Sequence, residues 1–282
     1  MPHSLSQFLP DEFNPKDGIC LIAGKELYPE LVADRMRQQE VRSRLIAWEE
    51  ETRDSLYDAF PNDHRIRLKV GKLGRMLKSL KNYDVKWAMM AGQITPGRLF
   101  KDLYPDLKAV TLLAKLKHKN AETIFGSVSE EISKIGVELI DARAFLDDQM
   151  ASKGPMTPTN DKVRPEFIVH GIEIAKEIAR LDVGQSVVIR KGTVVAVEAF
   201  EGTDRMLRRA GSFDTDQLVF IKTVKPDQDY RFDVPVFGMK TLQVMMEAGI
   251  QHAYLEANNT IILEKEKVLE QASAWNIQIT GF

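Results

Sequence analysis

Along the first half of the chain, short apolar runs alternate with stretches in which apolar residues recur every three or four positions. GICLIA at 18–23 is a continuous apolar run ending at Gly24, the pattern of a strand buried on both faces. Leu31, Val32 and Met36 then share one side of a helix predicted over 29–39. In 65–70, Ile66, Leu68 and Val70 alternate as in a strand, and Gly71-Lys72-Leu73-Gly74 leads into a helix with Leu73, Met76, Leu77 and Leu80 on one face. A buried strand is expected over 86–91, a weaker one over 109–114, an amphipathic segment over 127–135 and a strand over 137–140. Strands alternating with helices predict βαβ units on a mostly parallel sheet, a Rossmann-like α/β domain that lacks GxGxxG.

From Ala151 the composition shifts to Ser152, Gly154, Pro155, Thr157, Pro158, Thr159 and Pro165, a linker signature. Two domains are therefore expected, 1–150 and 166–282, joined by 151–165. The second opens with a helix over 169–181, followed by a hairpin of 187–189 and 193–199 around Arg190-Lys191-Gly192. A strand over 218–224, a helix over 239–248 ending at Gly249 and strands over 253–255 and 260–263 come next. A helix over 264–275 and a strand over 277–280 complete a mixed α/β (α+β) domain.

The length, 282 residues, lies near the roughly 250–300 at which one hydrophobic core stops growing, which agrees with two domains. With 39 Lys plus Arg against 41 Asp plus Glu, the net charge of −2 argues against dedicated nucleic-acid binding. The single cysteine, Cys20, excludes an intrachain disulfide and a cysteine zinc site, and favours a reducing compartment. No apolar run is long enough to span a bilayer, and MPHSLSQFLPDEFNPKDG has no secretory pattern, so a cytoplasmic protein is expected. His3, His64, His118, His170 and His252 are scattered without metal-site spacing, and neither GxSxG nor GxxxxGK[ST] occurs. LLAKLKHK at 112–119 reads as a basic amphipathic patch for an anionic membrane or, more simply, as a solvated helix face.

Four stretches carry candidate chemistry. Gly71 and Gly74 with Lys72 and Arg75 place glycines, cations and a helix start together, which suits phosphate but also serves as a plain tight turn. Gly92-Gln93-Ile94-Thr95-Pro96 follows a buried strand, at the sheet edge where parallel α/β folds bind ligands. In 198–205, Glu198, Glu201 and Asp204 cluster at a glycine turn and could hold Mg²⁺, or Thr203 or Asp204 could simply cap a helix. In 222–235, Lys222, Lys225, Arg231 and three aspartates lie between apolar elements, a mixture suited to phosphoryl chemistry. Asp233, between Phe232 and Val234-Pro235, is the aspartate expected to be partly buried.

Taken in order, IAGKELYP at 22–29, GKLGRMLKSL at 71–80, MMAGQITP at 89–96, 181–211 and KPDQDYRFDVPVFG at 225–238 resemble the UDP-2,3-diacylglucosamine pyrophosphatase family of lipid A biosynthesis, the branch unrelated to calcineurin-like phosphoesterases. The resemblance implies hydrolysis of that substrate by water attack on the α-phosphorus, giving lipid X and UMP, with Mg²⁺. It implies Asp233 as the functional, catalytic aspartate; Asp233 is then expected to bind Mg²⁺ or position water, with Glu198, Glu201 or Asp204 completing the site as metal ligands. Gly24, Gly71, Lys72, Gly74, Gly92, Gln93, Thr95, Gly202, Thr203, Lys222, Lys225, Gln228 and Arg231 become the expected substrate-binding positions. The expected partners are a lipid-linked nucleotide sugar and the inner-membrane surface, met peripherally; nucleic acid is not expected, and homodimerisation is left open. Two other classes compete: a non-catalytic nucleotide-sugar or lipid-binding module, and a Rossmann-type oxidoreductase, disfavoured by the missing GxGxxG.

Overall fold

A computed structural model describes residues 5–94, 105–116, 121–158 and 163–282. Thr95, Thr159 and the end of LLAKLKHK lie outside the described residues. The chain divides into two compact units, and the division is not a single cut. Unit 1 comprises Met1–Asp147 and Asp229–Asp233; unit 2 comprises Asp148–Gln228 and Val234–Phe282.

Unit 1 runs β1 (Ile19–Ala23), α1 (Tyr28–Gln38), β2 (Ser43–Trp48), α2 (Asp54–Asp58), β3 (Arg65–Leu68), α3 (Leu73–Tyr83), β4 (Trp87–Ala91), α4 (Leu107–Lys115), α5 (Ala121–Ser133) and β5 (Glu138–Leu139). The strands form one sheet in the order β3-β2-β1-β4-β5, every neighbouring pair parallel. β1 is central and buried along its whole length, which is why its sequence is uniformly apolar rather than alternating. Cys20 and Ile22 face a core shared with Met76, Leu77 and Leu80 of α3, Leu112 of α4 and Ile132 of α5. α1 lies against β1, β2 and β4 and buries Val32, Ala33 and Met36.

Two elements differ from the sequence-based expectation. Residues 109–114 are helical, as part of α4, rather than a weak strand. Ala109 and Leu112 are buried three residues apart, and Asp106 caps the helix by accepting from the Ala109 amide at 3.0 Å. Alanine, leucine and lysine favour helix, so propensity, spacing and cap agree. β2 escaped the pattern because its apolar run is only Leu45-Ile46-Ala47-Trp48, preceded by Ser43 and Arg44. Its place beside β1 comes from pairing, Ile19 opposite Ser43 through Ala23 opposite Ala47.

Unit 2 contains β6 (Gly154–Pro155), α6 (Pro165–Arg180), β7 (Ser186–Arg190), β8 (Thr193–Val197), α7 (Thr203–Gly211), β9 (Leu218–Lys222) and β10 (Val236–Phe237). It continues with α8 (Met239–Glu247), β11 (His252–Leu255), β12 (Ile261–Ile262), α9 (Lys265–Ala274) and β13 (Gln278–Gly281). The main sheet has the order β6-β13-β11-β9-β7-β8; β9, β11 and β13 are parallel, while β7, β8 and β6 join antiparallel. β10 and β12 form a separate parallel pair. Val188, Phe220, Ala253 and Ile279 face a core with α7, α8 and α9, whereas Val187, Ile189, Val219 and Ile221 face α6. Phe220 is fully buried and stacks on Phe237 with ring centroids 6.4 Å apart, so truncating it to alanine would cost about 3–5 kcal/mol.

Candidate functional site

In unit 1 the crossovers reverse direction between β1 and β4, and in such sheets the crevice beyond the carboxyl ends of those strands is where ligands bind. Gly24 and Gly92 sit at that edge. The Gly24 amide donates to Ala91 O at 2.8 Å and the Lys25 amide to Gln93 O at 2.8 Å, so the two strand exits are tied together. A Cβ on Gly24 would stand 2.6 Å from Gln93 O, and one on Gly92, whose φ is +83°, would stand 2.5 Å from Lys25 O. Both glycines are thus required by the close approach of two backbones. The Gln93 side chain is exposed at the same edge.

The GxxG turn after β3 holds an anion from the protein itself. Asp106 Oδ2 accepts from the Gly74 amide at 2.7 Å and from the Arg75 amide at 3.4 Å, while Gly71 O accepts from the Asp106 amide at 3.2 Å. The amides at the start of α3, which the sequence offers to a phosphate, face the Asp106 carboxylate. A phosphate there would have to displace it. Lys72 lies beside this turn, half-buried.

Asp233 belongs to unit 1 through the short return Asp229–Asp233. Within it the amides of Phe232 and Asp233 donate to Asp229 O at 3.3 and 3.0 Å, closing a turn. The Asp229 carboxylate accepts from the Arg231 amide at 3.1 Å, from Nε at 2.8 Å and from Nη2 at 2.6 Å. That guanidinium holds the Asp229 carboxyl below the usual range, against the opposing effect of partial burial. Arg231, expected to bind substrate, is therefore engaged by Asp229. The return is moored on the residues following β5. Tyr230 O accepts from the Ala142 amide at 2.8 Å, the Tyr230 ring lies under the Arg143 guanidinium, and Phe232 stacks on Phe125 of α5 with centroids 6.0 Å apart. The Tyr28 hydroxyl at the start of α1 donates to Ala142 O. Asp233 and Asp229 are both half-buried, whereas Asp227 is exposed.

In unit 2, Lys222 ends β9 and is only 6 % exposed. Among the described residues no carboxylate pairs with it; Thr203 Oγ1 lies 3.5 Å from its ammonium. Thr203 begins α7, and Gly202, with φ +80° and open space where a Cβ would be, stands at the N-cap without a side chain to cap the helix. A buried cation beside an uncapped helix start is suited to an anion. Glu198 completes the cluster: its Oε1 accepts from Thr203 Oγ1 at 2.6 Å and its Oε2 from the Ser186 hydroxyl.

Each of the other expected metal ligands in this unit has its own partner. Arg209 Nη2 lies 2.5 Å from Glu201 Oε1 and, by that hydrogen bond first, holds the Glu201 carboxyl below its ordinary range. Asp204 pairs with Lys240 at 2.9 Å and accepts from Thr241 at 3.4 Å; Gly202, rather than Thr203 or Asp204, occupies the N-cap. Among the described residues no group of three or more His, Cys, Asp or Glu is placed to hold a metal ion. Among the described residues the carboxylates thus form no cage; a hydrated Mg²⁺ is ordinarily held by one or two carboxylates together with substrate phosphates. Lys225 pairs with Asp182, and Gln228 Oε1 accepts from the Lys225 amide at 3.0 Å and from Gln185 Nε2 at 3.1 Å.

Sequence reading passed over Asp106, Arg143, Ser186 and Glu256. Glu256 Oε2 accepts from the Thr223 hydroxyl and from the Val224 amide at 3.1 Å, organising the exit of β9. Asp106 carries a local signal as the N-cap of α4, whereas no local motif marks the ties of Asp106 to Gly74, Arg143 to Tyr230, Ser186 to Glu198 or Glu256 to Thr223, which join residues distant in the chain.

Comparison with known proteins agrees with the order of the two units. Residues 18–149 match the LpxI N-terminal domain and residues 152–280 the LpxI C-terminal domain. A curated relative from Caulobacter vibrioides, named UDP-2,3-diacylglucosamine pyrophosphatase LpxI, is 28% identical, covering 75% of this chain and 80% of the relative.

Proposed function

The chain belongs to the LpxI family, and from that premise we propose that it hydrolyses the pyrophosphate of UDP-2,3-diacylglucosamine to 2,3-diacylglucosamine 1-phosphate, lipid X, and UMP in lipid A biosynthesis. The observation that carries the reading is the relative's named activity, over a match that spans most of both chains. In the reaction, the oxygen of water bonds to the α-phosphorus and the bridging oxygen leaves with the sugar phosphate. Asp233 orients that water. Lys222, the Thr203 hydroxyl and the start of α7 bind a phosphate, and a preorganised donor of this kind typically contributes about 3–4 kcal/mol to such a transition state.

Mg²⁺ is the proposed cofactor, for which Asp233, Glu198, Glu201 and Asp204 are the candidate protein ligands. When bound it neutralises phosphate charge. The acyl chains of the substrate require a bilayer surface, so peripheral attachment to the inner membrane is part of the proposal. No described helix is long and apolar enough to cross a membrane.

The test is hydrolysis of UDP-2,3-diacylglucosamine in detergent micelles, with and without EDTA, in water enriched in heavy oxygen. UMP carrying the heavy oxygen, lost with EDTA, is the expected result. Heavy oxygen in the sugar phosphate would refute attack at the α-phosphorus, full activity in EDTA would refute the cation, and no UMP would refute the reading.

A further inference from the structure

We propose that Arg143 is a positioning residue for Asp233, acting through the aromatic ring of Tyr230; this rests on the pyrophosphatase reading, in which Asp233 orients the attacking water. Asp233 lies on a return of five residues, Asp229–Asp233, whose chain neighbours on both sides belong to unit 2. Such a segment has no helix or strand of its own to fix it, so the precision of Asp233 has to come from what the segment is moored to.

The mooring can be traced bond by bond. The Ile140 amide donates to Ala88 O at 2.9 Å, extending the β4–β5 pairing and setting residues 140–143 at the carboxyl edge of the sheet. Arg143 is held there by Asp141, with Nε 3.1 Å from each carboxylate oxygen and Nη2 2.6 Å from Oδ2. Its guanidinium carbon then lies 3.6 Å from the centroid of the Tyr230 ring and 4.4 Å from that of Phe8. Tyr230 O also accepts from the Ala142 amide. From Tyr230 the position passes to Asp233 through a turn closed by the Asp233 amide on Asp229 O, at 3.0 Å.

The charge balance separates positioning from phosphate binding. The Asp141 carboxylate neutralises the Arg143 edge in a forked pair and the side chain is mostly buried, at 14% exposure, so its charge is engaged within the protein, by Asp141 along the edge and by the Tyr230 ring at the face. A reacting group displaced by about 1 Å costs on the order of 100-fold in turnover, while substrate binding by other groups persists. The signature of positioning is therefore a fall in kcat with little change in KM.

The experiment compares wild type, Arg143→Ala, Tyr230→Leu and Tyr230→Phe for UMP release from UDP-2,3-diacylglucosamine, with hydrogen exchange of the peptide covering 229–233. Arg143→Ala and Tyr230→Leu are expected to lower kcat by about 10–100-fold with KM within about threefold, and to speed exchange in that peptide. Tyr230→Phe, which keeps the ring, is expected to rescue both. The Arg143→Ala/Tyr230→Leu double variant is expected to be no slower than the slower single one, because the two residues act as one unit. Wild-type kcat in Arg143→Ala, or equal kcat in Tyr230→Leu and Tyr230→Phe, overturns the positioning role and leaves the pyrophosphatase reading standing. Should Arg143→Ala fail to fold, the two Tyr230 variants decide alone. Wild type without turnover overturns both.

Discussion

The Asp106 carboxylate bridges two helix starts, one oxygen 2.7 Å from the Gly74 amide of α3 and the other 3.0 Å from the Ala109 amide of α4. One side chain therefore satisfies donors at two N-termini and places its negative charge at both. Asp106→Ala is expected to destabilise the protein by about 1–2 kcal/mol, measured by urea unfolding. Asp106→Asn, which still caps, should lose less; equal losses would argue against the capping account.

Gly92 and Gly202 share a positive φ, +83° and +80°, but not the space around them. An alanine methyl at Gly92 meets Lys25 O and the Pro29 ring, whereas at Gly202, among the described residues, no atom beyond its chain neighbours lies within 4 Å. Gly202→Ala is expected to cost only the backbone conformation, φ +80° with ψ 167°, a region nearly restricted to glycine, about 1–3 kcal/mol. Gly92→Ala adds a backbone displacement and should lower the melting temperature further. A milder effect at Gly92 than at Gly202 would contradict the geometry.

Lys222 is the buried cation of unit 2, and removing an ammonium that no described carboxylate pairs with should not weaken the fold. Lys222→Met is expected to melt at or above the wild-type temperature while its kcat falls by about 100–1000-fold. A stable variant with wild-type turnover would remove Lys222 from the phosphate site.

Asp233→Asn and Asp233→Ala are expected to fold and bind substrate but to lose turnover by at least about 100-fold. Calorimetric binding of the unhydrolysed substrate, with UMP release measured in parallel, separates the two properties. Retained hydrolysis would dismiss the assignment.

Burial raises the carboxyl pKa of Glu256, but the Thr223 hydroxyl, the Val224 amide and Lys176 outweigh it and hold the group below its ordinary value. A depressed carboxyl contributes stability in full above its unfolded pKa, about 4.3, and loses it as pH falls through the folded value. Glu256→Gln should therefore melt below wild type at neutral pH, with the gap closing below about pH 4.3. A gap that persists unchanged into acid would show that the carboxylate charge is not the source.

Much of the fold could be read from local pattern. The uniformly apolar 18–23, the helical spacing of Leu73, Met76, Leu77 and Leu80, and the hairpin around Lys191-Gly192 all lie where the periodicity put them. β2 and α4 were missed or misread because four apolar residues fit either period, and the cap at Asp106 decides α4. At the site, the chemistry of Lys222, Thr203 and Glu198 was visible as composition. Their grouping was not, because Ser186 and Lys222 meet only through the β7–β9 pairing.

By itself, then, the sequence determined most of the elements, though not β2 or α4, the parallel α/β character of the first half and the residue types available for a phosphate, since these follow from periodicity and side-chain chemistry within a few positions. Tertiary structure alone decided which donors already have partners, Gly74 with Asp106 and Arg231 with Asp229, and that Asp233 is carried by unit 1. The physical reason is the same in each case. A hydrogen bond or a stacked ring depends on distance in space, and no local spacing records that Tyr230 will lie beside Arg143.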